Sequence, residues 1–506
     1  MKESSFNSVI KSISILIVLG TVCFILTIVR SYGQPTFDIV IKGGRVIDPE
    51  TGLDEVRNIG IRNGRILEIS NEDLPGSEVI DVKGLVVSPG FIDPHVHGIT
   101  NREQEFQAHD GVTSALELEG GIEFLREWHN LREGKAMINY GGSASWMMAH
   151  ALAIPKNEKP RLKLKNILND EGWNRNTISS LIEERPSEIT SKKQIDLMLN
   201  NLREALAEGA VGIGLSLGYN PLANREEIFR LFQLAAGFKA PVFIHVRDFG
   251  LTYIQQAIAD AAITGAKLHI VHVNSMALGE IGLAIEMVSE AQKKGLDITT
   301  ELYPYTAAST SLQSVLFDEG WQKKMGGISY GDLQWVATGE RLTEATFNTY
   351  RQQKGIVVIH LMKPEWIALG IQSPVTMIGS DGMPYASFAH PRTAGTFSRV
   401  LGKYVREEKL LSLIQAINKM TLMPARLLED FAPMMRLKGR IQVGCDADIT
   451  IFDPNTILDK ATYEKGLEFS QGIHHVMVNG VFIVRNGQTV RDIFPGKPIF
   501  GKYKKG

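Results

Sequence analysis

Apolar and polar positions fall into two rhythms along the chain. At both ends the rhythm is a two-residue alternation. "FDIVIKGGRVIDPETG" sets Val and Ile against polar neighbours and then turns at Pro49-Glu50-Thr51-Gly52, and "IGIRNGRILEIS" repeats the pattern around Asn63-Gly64. Asn-Gly between alternating runs signals a tight hairpin, because both residues tolerate a positive φ. "EVIDVKGLVVSPG" continues the pattern, and "GCDADITIFDP" and "HHVMVNGVFIVRNG" resume it near the other end. The strand-rich ends, residues 35–88 and 435–506, are expected to close into one small composite β-sandwich domain; two separate β appendages are the alternative.

Between them, short β-branched runs alternate with helix-like segments such as "NREEIFRLFQLAAGF" and "LGEIGLAIEMVSEAQKKG". Such βα units imply a parallel sheet. Eight strand candidates end near His97, Glu119, Ser143, Ser216, His245, His272, Pro304 and Asp381. The predicted fold class is therefore α/β: a (β/α)8 TIM barrel over 89–434, with its chemistry at the C-terminal ends of the strands. Residues 311–355 carry weaker strand signals and read as an insertion over the mouth, forming a lid.

Composition changes this picture little. The chain has 506 residues, a formal charge of −2 and no long charge block, which argues against a nucleic-acid partner. The leader adds more. Lys2 and Lys11 precede an apolar run from Ile13 to Val29, followed by Arg30, Ser31, Tyr32, Gly33 and Gln34. Residues 1–34 thus read as a signal peptide cleaved before Gln34, or as an uncleaved membrane anchor, since the run is close to the shortest membrane span. Either reading puts the protein outside the cytoplasm, periplasmic or extracellular, with membrane attachment only through this segment. The only cysteines are Cys23 and Cys445, so any metal must be held by His, Asp and Glu.

The first barrel strand, "LVVSPGFIDPHVHG", puts His95 and His97 on one face, where two imidazoles can bind one divalent cation. The fifth, "APVFIHVRD", ends in His245, and the sixth, "KLHIVHVNS", in His272; at equivalent strand ends both read as further ligands. His269, nearer its strand's start, reads as structural. The eighth, "VTMIGSDGMP", ends in Asp381, a carboxylate that suits metal contact and proton handling. The second, "GVTSALELEGG", raises Glu117 and Glu119 on one face. Glu119 is read as a metal ligand or bridge against the alternative of an ion pair, and Glu117 as the partner of a neighbouring Arg or Lys. Arg247 and Asp248 read as a buried ion pair that orients ligands.

These motifs, with "GAVGIGLSLGY", "LYPYTAAST", "HPRTAGTFSRVLGKYVRE" and "GRIQVGCDADITIFD", resemble the amidohydrolase superfamily. Within it they resemble the D-aminoacylase branch of N-acyl-D-amino-acid (D-glutamate) deacylases, over nearly the whole mature chain. The resemblance implies one or two zinc ions on His95, His97, His245 and His272, with Asp381 as acid/base. It also implies substrate contacts from Arg392, Tyr305, Ser309 and Tyr219, with Arg392 either holding an anionic group or stapling a loop. The implied activity is metal-dependent hydrolysis of an N-acyl amino acid, in particular an N-acyl-D-amino acid. A cyclic-amide hydrolase, a dipeptidase, a deaminase and a non-catalytic binding barrel are the rival readings. Two departures stand out. The branch carries a metal-binding Cys on the second strand where this chain has "LELEGG", and a Lys after the sixth-strand His where this chain has Val273 and Asn274. No metal-bridging Lys stands on the fourth strand, "AVGIGLSLGY", as it would in close hydantoinase relatives.

Overall fold

The computed structural model describes residues 37–154, 188–384 and 390–505. The leader reading of 1–34 lies outside the described residues, among which no helix is long and apolar enough to cross a membrane.

The chain opens with β1 (Phe37–Asp48), β2 (Leu53–Arg62), β3 (Arg65–Ser70), β4 (Gly76–Asp81) and β5 (Val86–Pro89). Asn63 and Gly64, at φ 51° and 73°, form the tight turn between β2 and β3. The pair Gly43-Gly44 divides β1: before it β1 pairs with β4, after it with β5, and a bulge interrupts its register with β2. A Cβ on Gly44 would lie 2.5 Å from Val87 and 2.9 Å from Val82, so only glycine lets the strands approach there.

Seven parallel barrel strands follow: β6 (Phe91–Asp93), β7 (Val112–Ile122), β8 (Asn139–Ser145), β9 (Ile213–Ser216), β10 (Val242–His245), β11 (Leu268–Ile270) and β12 (Ile298–Leu302). An excursion carries β13 (Ala307–Ser311), β14 (Leu333–Trp335) and β15 (Ile356–His360), and β16 (Thr376–Ile378) completes the barrel as its eighth strand. The eight strands run parallel throughout, and helices cover their outer face, so most of their residues are buried. The ring closes beyond β6 and β16: the backbone N–H groups of His97 and Gly98 donate to Gly382 O at 2.6 and 3.0 Å. The buried Asp93 carboxylate adds a stitch, accepting the N–H groups of Ser380 (2.9 Å) and His95 (3.2 Å).

After the barrel come β17 (Ile449–Phe452), β18 (Ile473–Val478), β19 (Val481–Arg485) and β20 (Gln488–Thr489). β17 pairs antiparallel with β5, so both chain ends share one nine-stranded sheet in the order β20-β19-β18-β17-β5-β1-β2-β3, with β4 beside β1. Its strands enclose a core including Ile41, Ile59, Val87, Ile449, Ile451 and Met477. The sheet does not take in the whole stretch to 506. After β20 the tail crosses to the barrel, where Ile499 N–H donates to Tyr140 O and Gly501 N–H to Gly209 O. The reason is local: the proline- and glycine-rich tail has no further alternation to pair, and Ile499 is fully buried against the barrel instead.

The excursion is more ordered than its sequence implies. β13, β15 and β14 form an antiparallel sheet, and Phe317, Trp321, Tyr330 and Phe347 make an aromatic group continuous with the main core, with Trp321 stacked on Phe347 at 5.4 Å. Its contacts to the barrel loops include Tyr219 Oη to Thr310 Oγ1 at 3.0 Å and Lys324 to Asp248 at 2.9 Å.

Candidate metal centre and substrate pocket

Glu119 rises from β7 into the middle of the barrel mouth, 3% exposed. One oxygen faces two imidazoles from the first strand's end: His95 Nε2 at 3.3 Å and His97 Nε2 at 3.1 Å. The other faces two from the far side: His245 Nδ1 at 2.7 Å and His272 Nε2 at 3.8 Å. Asp381, at φ 52° just beyond β16, brings Oδ1 to 3.6 Å from His95 Nε2 and 3.2 Å from His97 Nε2. The strand-end residues named from the sequence therefore converge in one buried cluster. Burial pushes the Glu119 carboxyl upward, but hydrogen bonds from His245, His272, His95 and His97 outweigh it and hold the group well below the usual carboxylate range. Burial likewise opposes ionisation of Asp381, but the Arg392 guanidinium and then His95 hold its pKa at about 2.

The outer ring nitrogens fix the orientation of two ligands. His95 Nδ1 meets Glu301 Oε1 at 2.5 Å, and His97 Nδ1 meets Glu117 Oε2 at 2.8 Å. Each carboxylate holds the proton side of its imidazole and turns the Nε2 lone pair inward, the arrangement that strengthens a histidine as a metal ligand. Glu301 stays ionised despite full burial because His95 and His269 face it. A Cβ on Gly379 would fall on the Glu301 carboxylate, so "IGSDG" needs glycine beside this group.

The donor set fits a divalent metal of the zinc type. His95, His97 and Glu119 offer atoms within 4.8 Å of one another, as do Glu119, His245 and His272, and also His95, His272 and Asp381. The set is imidazole and carboxylate with no thiol, which suits zinc and its neighbours. Glu119 belongs to both of the first two triads, the place of a shared ligand. Four imidazoles around one buried carboxylate account for its charge only in part; a cation completes it.

Arg392 lies beside this cluster, 1% exposed, as the first residue of helix Arg392–Arg399. Its Nη2 donates to Asp381 Oδ1 at 2.9 Å and to Ser309 O at 3.3 Å, and its guanidinium rests 4.7 Å over the Tyr303 ring. Among the described residues, Arg392 Nε and Nη1, Tyr303 Oη and Ser309 Oγ are buried without hydrogen-bond partners. The Tyr219 ring stands 4.9 Å from that of His245.

Three sequence readings need correction. Tyr305 turns from the cluster: the Arg399 guanidinium lies 4.6 Å over its ring, and burial beside Asp459 raises its hydroxyl pKa. The tyrosine under Arg392 is Tyr303, two residues earlier; Pro304 lies between them and strand parity alone does not separate them. Glu117 pairs with the His97 imidazole, a partner the sequence reading did not name, because the first strand's end crosses directly over β7. Arg247 and Asp248 do not pair with each other: Arg247 donates to the carbonyls of Pro221 and Ala223, and Asp248 takes Lys324. Glu301 was missed altogether, although a carboxylate inside the apolar strand "ITTEL" is a signal of the same kind as Asp381.

The comparisons with known proteins agree with this geometry. The amidohydrolase family model matches residues 333–483. D-aminoacylase of Alcaligenes xylosoxydans xylosoxydans is 30% identical over 472 residues, covering 89% of this chain and 95% of that one. The chain belongs to the amidohydrolase family. N-acyl-D-glutamate deacylase of the same organism is 29% identical over 476 residues, covering 88% of this chain and 93% of that protein. In fold, it is similar to the crystal structure of N-acyl-D-glutamate deacylase from Bordetella bronchiseptica, complexed with zinc and a phosphonate inhibitor. That likeness has a TM-score of 0.77 at 24% identity and covers 92% of this chain and all of that one.

Proposed function

We propose that this protein hydrolyses the amide bond of N-acyl amino acids, N-acyl-D-amino acids in particular, with a divalent metal of the zinc type bound at the Glu119 cluster. The observation that carries the reading is Arg392: a buried guanidinium beside the catalytic cluster, with two N–H-bearing nitrogens unpartnered. A guanidinium placed this way suits a carboxylate, the one group every N-acyl amino acid presents next to its amide nitrogen. The D-series is favoured because relatives 29% and 30% identical over most of the chain are deacylases of D-amino acids.

His95, His97, Glu119, His245, His272 and Asp381 would hold the metal. When bound, such an ion lowers the pKa of water and polarises a carbonyl. Asp381, ionised at neutral pH, accepts the proton of the attacking water and returns it to the departing amine nitrogen. Arg392 fixes the substrate carboxylate, which puts the scissile carbonyl over the cluster; the hydroxyls of Tyr303 and Ser309 are donors beside it. The insertion, joined to Tyr219 through Thr310, shields the site from bulk water.

A panel of N-acetyl-D-amino acids, their L-enantiomers, dipeptides and cyclic amides, assayed on zinc-reconstituted protein, tests the reading. Turnover of the D-series that disappears in Asp381→Asn supports it. Turnover of cyclic amides or dipeptides alone would move the enzyme elsewhere in the family. We also propose that residues 1–34 export the protein, on the strength of the basic start and the apolar run to Val29. An N-terminus at Gln34 on protein from the periplasm or medium supports cleavage; an intact N-terminus in the membrane fraction supports an anchor; cytoplasmic protein refutes export.

A further inference from the structure

We propose that His390 is a positioning residue for the anion-binding guanidinium of Arg392, acting as a neutral imidazole with its proton on Nε2. The inference rests on the reading of Arg392 as the carboxylate-holding group.

The His390 side chain is 1% exposed, and both its ring nitrogens are engaged. Nε2 lies 2.9 Å from the carbonyl oxygen of Ala307, which can only accept, so Nε2 bears the hydrogen. Nδ1 lies 3.1 Å from the backbone nitrogen of Arg392, whose N–H can only donate, so Nδ1 is the bare acceptor. One tautomer satisfies both contacts; the other satisfies neither, and the imidazolium satisfies only one. The rings of Tyr303, Tyr305 and Tyr463 pack edge-on around it at 6.3, 5.4 and 5.1 Å.

The two contacts do a defined job. β13 is the edge strand of the insertion's sheet. Ala307 and Ser309 are two residues apart on it and present their carbonyls to the same side. His390 takes the first carbonyl and Arg392 Nη2 takes the second, at 3.3 Å. The turn 390–392 is thereby clamped to the base of the insertion at two points, and the Nδ1 contact holds the Arg392 backbone at the start of its helix. With its main chain and Nη2 both fixed, Arg392 keeps Nε and Nη1 buried and, among the described residues, free of hydrogen-bond partners. Removing the imidazole frees the turn from Ala307 and reaches the metal cluster only through the Arg392–Asp381 pair.

The experiment compares His390→Leu, His390→Asn and wild type for N-acetyl-D-amino acids and for the matching carboxamides, the latter as competitive inhibitors. Asn keeps an acceptor where Nδ1 stands and loses the reach to Ala307. For His390→Leu the expected result is a KM for the carboxylate raised about 10- to 100-fold, the loss of one hydrogen bond that serves a charged group. Its bound metal and carboxamide inhibition constant should stay near wild type, and His390→Asn should recover most of the lost affinity. A fall in kcat at unchanged KM, equal loss for carboxylate and carboxamide, or wild-type kinetics in His390→Leu overturns the proposal. If His390→Leu does not fold, His390→Asn decides alone: selective weakening of the carboxylate supports the clamp, and unselective weakening refutes it. Arg392→Met separates this from the underlying reading, because carboxylate preference that survives in it refutes Arg392 itself.

Discussion

Glu119 gives each of its oxygens two imidazoles, yet the four imidazoles are not equally supported. His95 and His97 carry a buried carboxylate on the outer nitrogen, whereas His245 Nε2 and His272 Nδ1 have no hydrogen-bond partner among the described residues. Glu301→Gln keeps the shape and removes the charge behind His95. Metal affinity should fall about 10- to 100-fold, as measured by competition with a chromophoric chelator, with turnover recovering at saturating metal; unchanged affinity would deny Glu301 this role. Glu119→Ala is more severe. Metal content by elemental analysis should drop at both ends of the cluster, and a variant that still binds a full complement would show that Glu119 is not shared. The ligands were readable in the sequence because each stands at the end of an apolar strand, where a lone polar residue has little structural excuse. Their supports were not. Which carboxylate backs which imidazole depends on strands 20 and 206 residues apart crossing at the mouth. Choosing between Tyr303 and Tyr305 required the backbone bend at Pro304.

At the scale of elements, all eight barrel strands were legible: strands such as "VFIH" are apolar because both faces are buried, and polar ones such as "NYGGSAS" and "ITTEL" were placed by their alternation with helical segments. The insertion was half legible. "AASTS" has little strand character of its own and becomes β13 only by pairing with "IVVIH" 45 or more residues later. Its helical part is held by few residues, and Trp321 is central among them. Trp321→Ala should loosen the insertion by about 3–5 kcal/mol, seen as faster hydrogen exchange within 312–355 while the barrel strands keep their protection. Uniform loss of protection across the barrel would show that the insertion is no separate cooperative unit.

Across the whole molecule, three buried histidines lie in or against the C-terminal part. His129 packs on Phe500 of the tail, His109 stacks on Phe469 and bonds Thr489, and His475 stands on β18 beside Phe482. Burial depresses their pKa values to about 3, about 4 and about 4. The unfolded chain protonates these rings near pH 6.5 and the folded chain does not, so stability is full above that pH and declines as pH falls toward the folded values. Each histidine contributes a slope of about 1.4 kcal/mol per pH unit within its window. Melting temperatures measured from pH 8 to pH 4 should fall on the acid side, and His129→Leu should flatten the decline; an unchanged slope would remove His129 from the account.

The pairing of β5 with β17 joins residues far apart in the chain: Ser88 Oγ donates to Thr450 O across 362 positions. A nascent chain that has displayed β1 to β5 must wait for nearly all the remaining synthesis before that edge finds its neighbour. Until then it presents an open strand, the kind of edge that invites pairing with other chains. Folding is therefore an event of the finished polypeptide, slow for its size because its decisive contact is so distant. A chain that matures only when complete stays threadable throughout its synthesis.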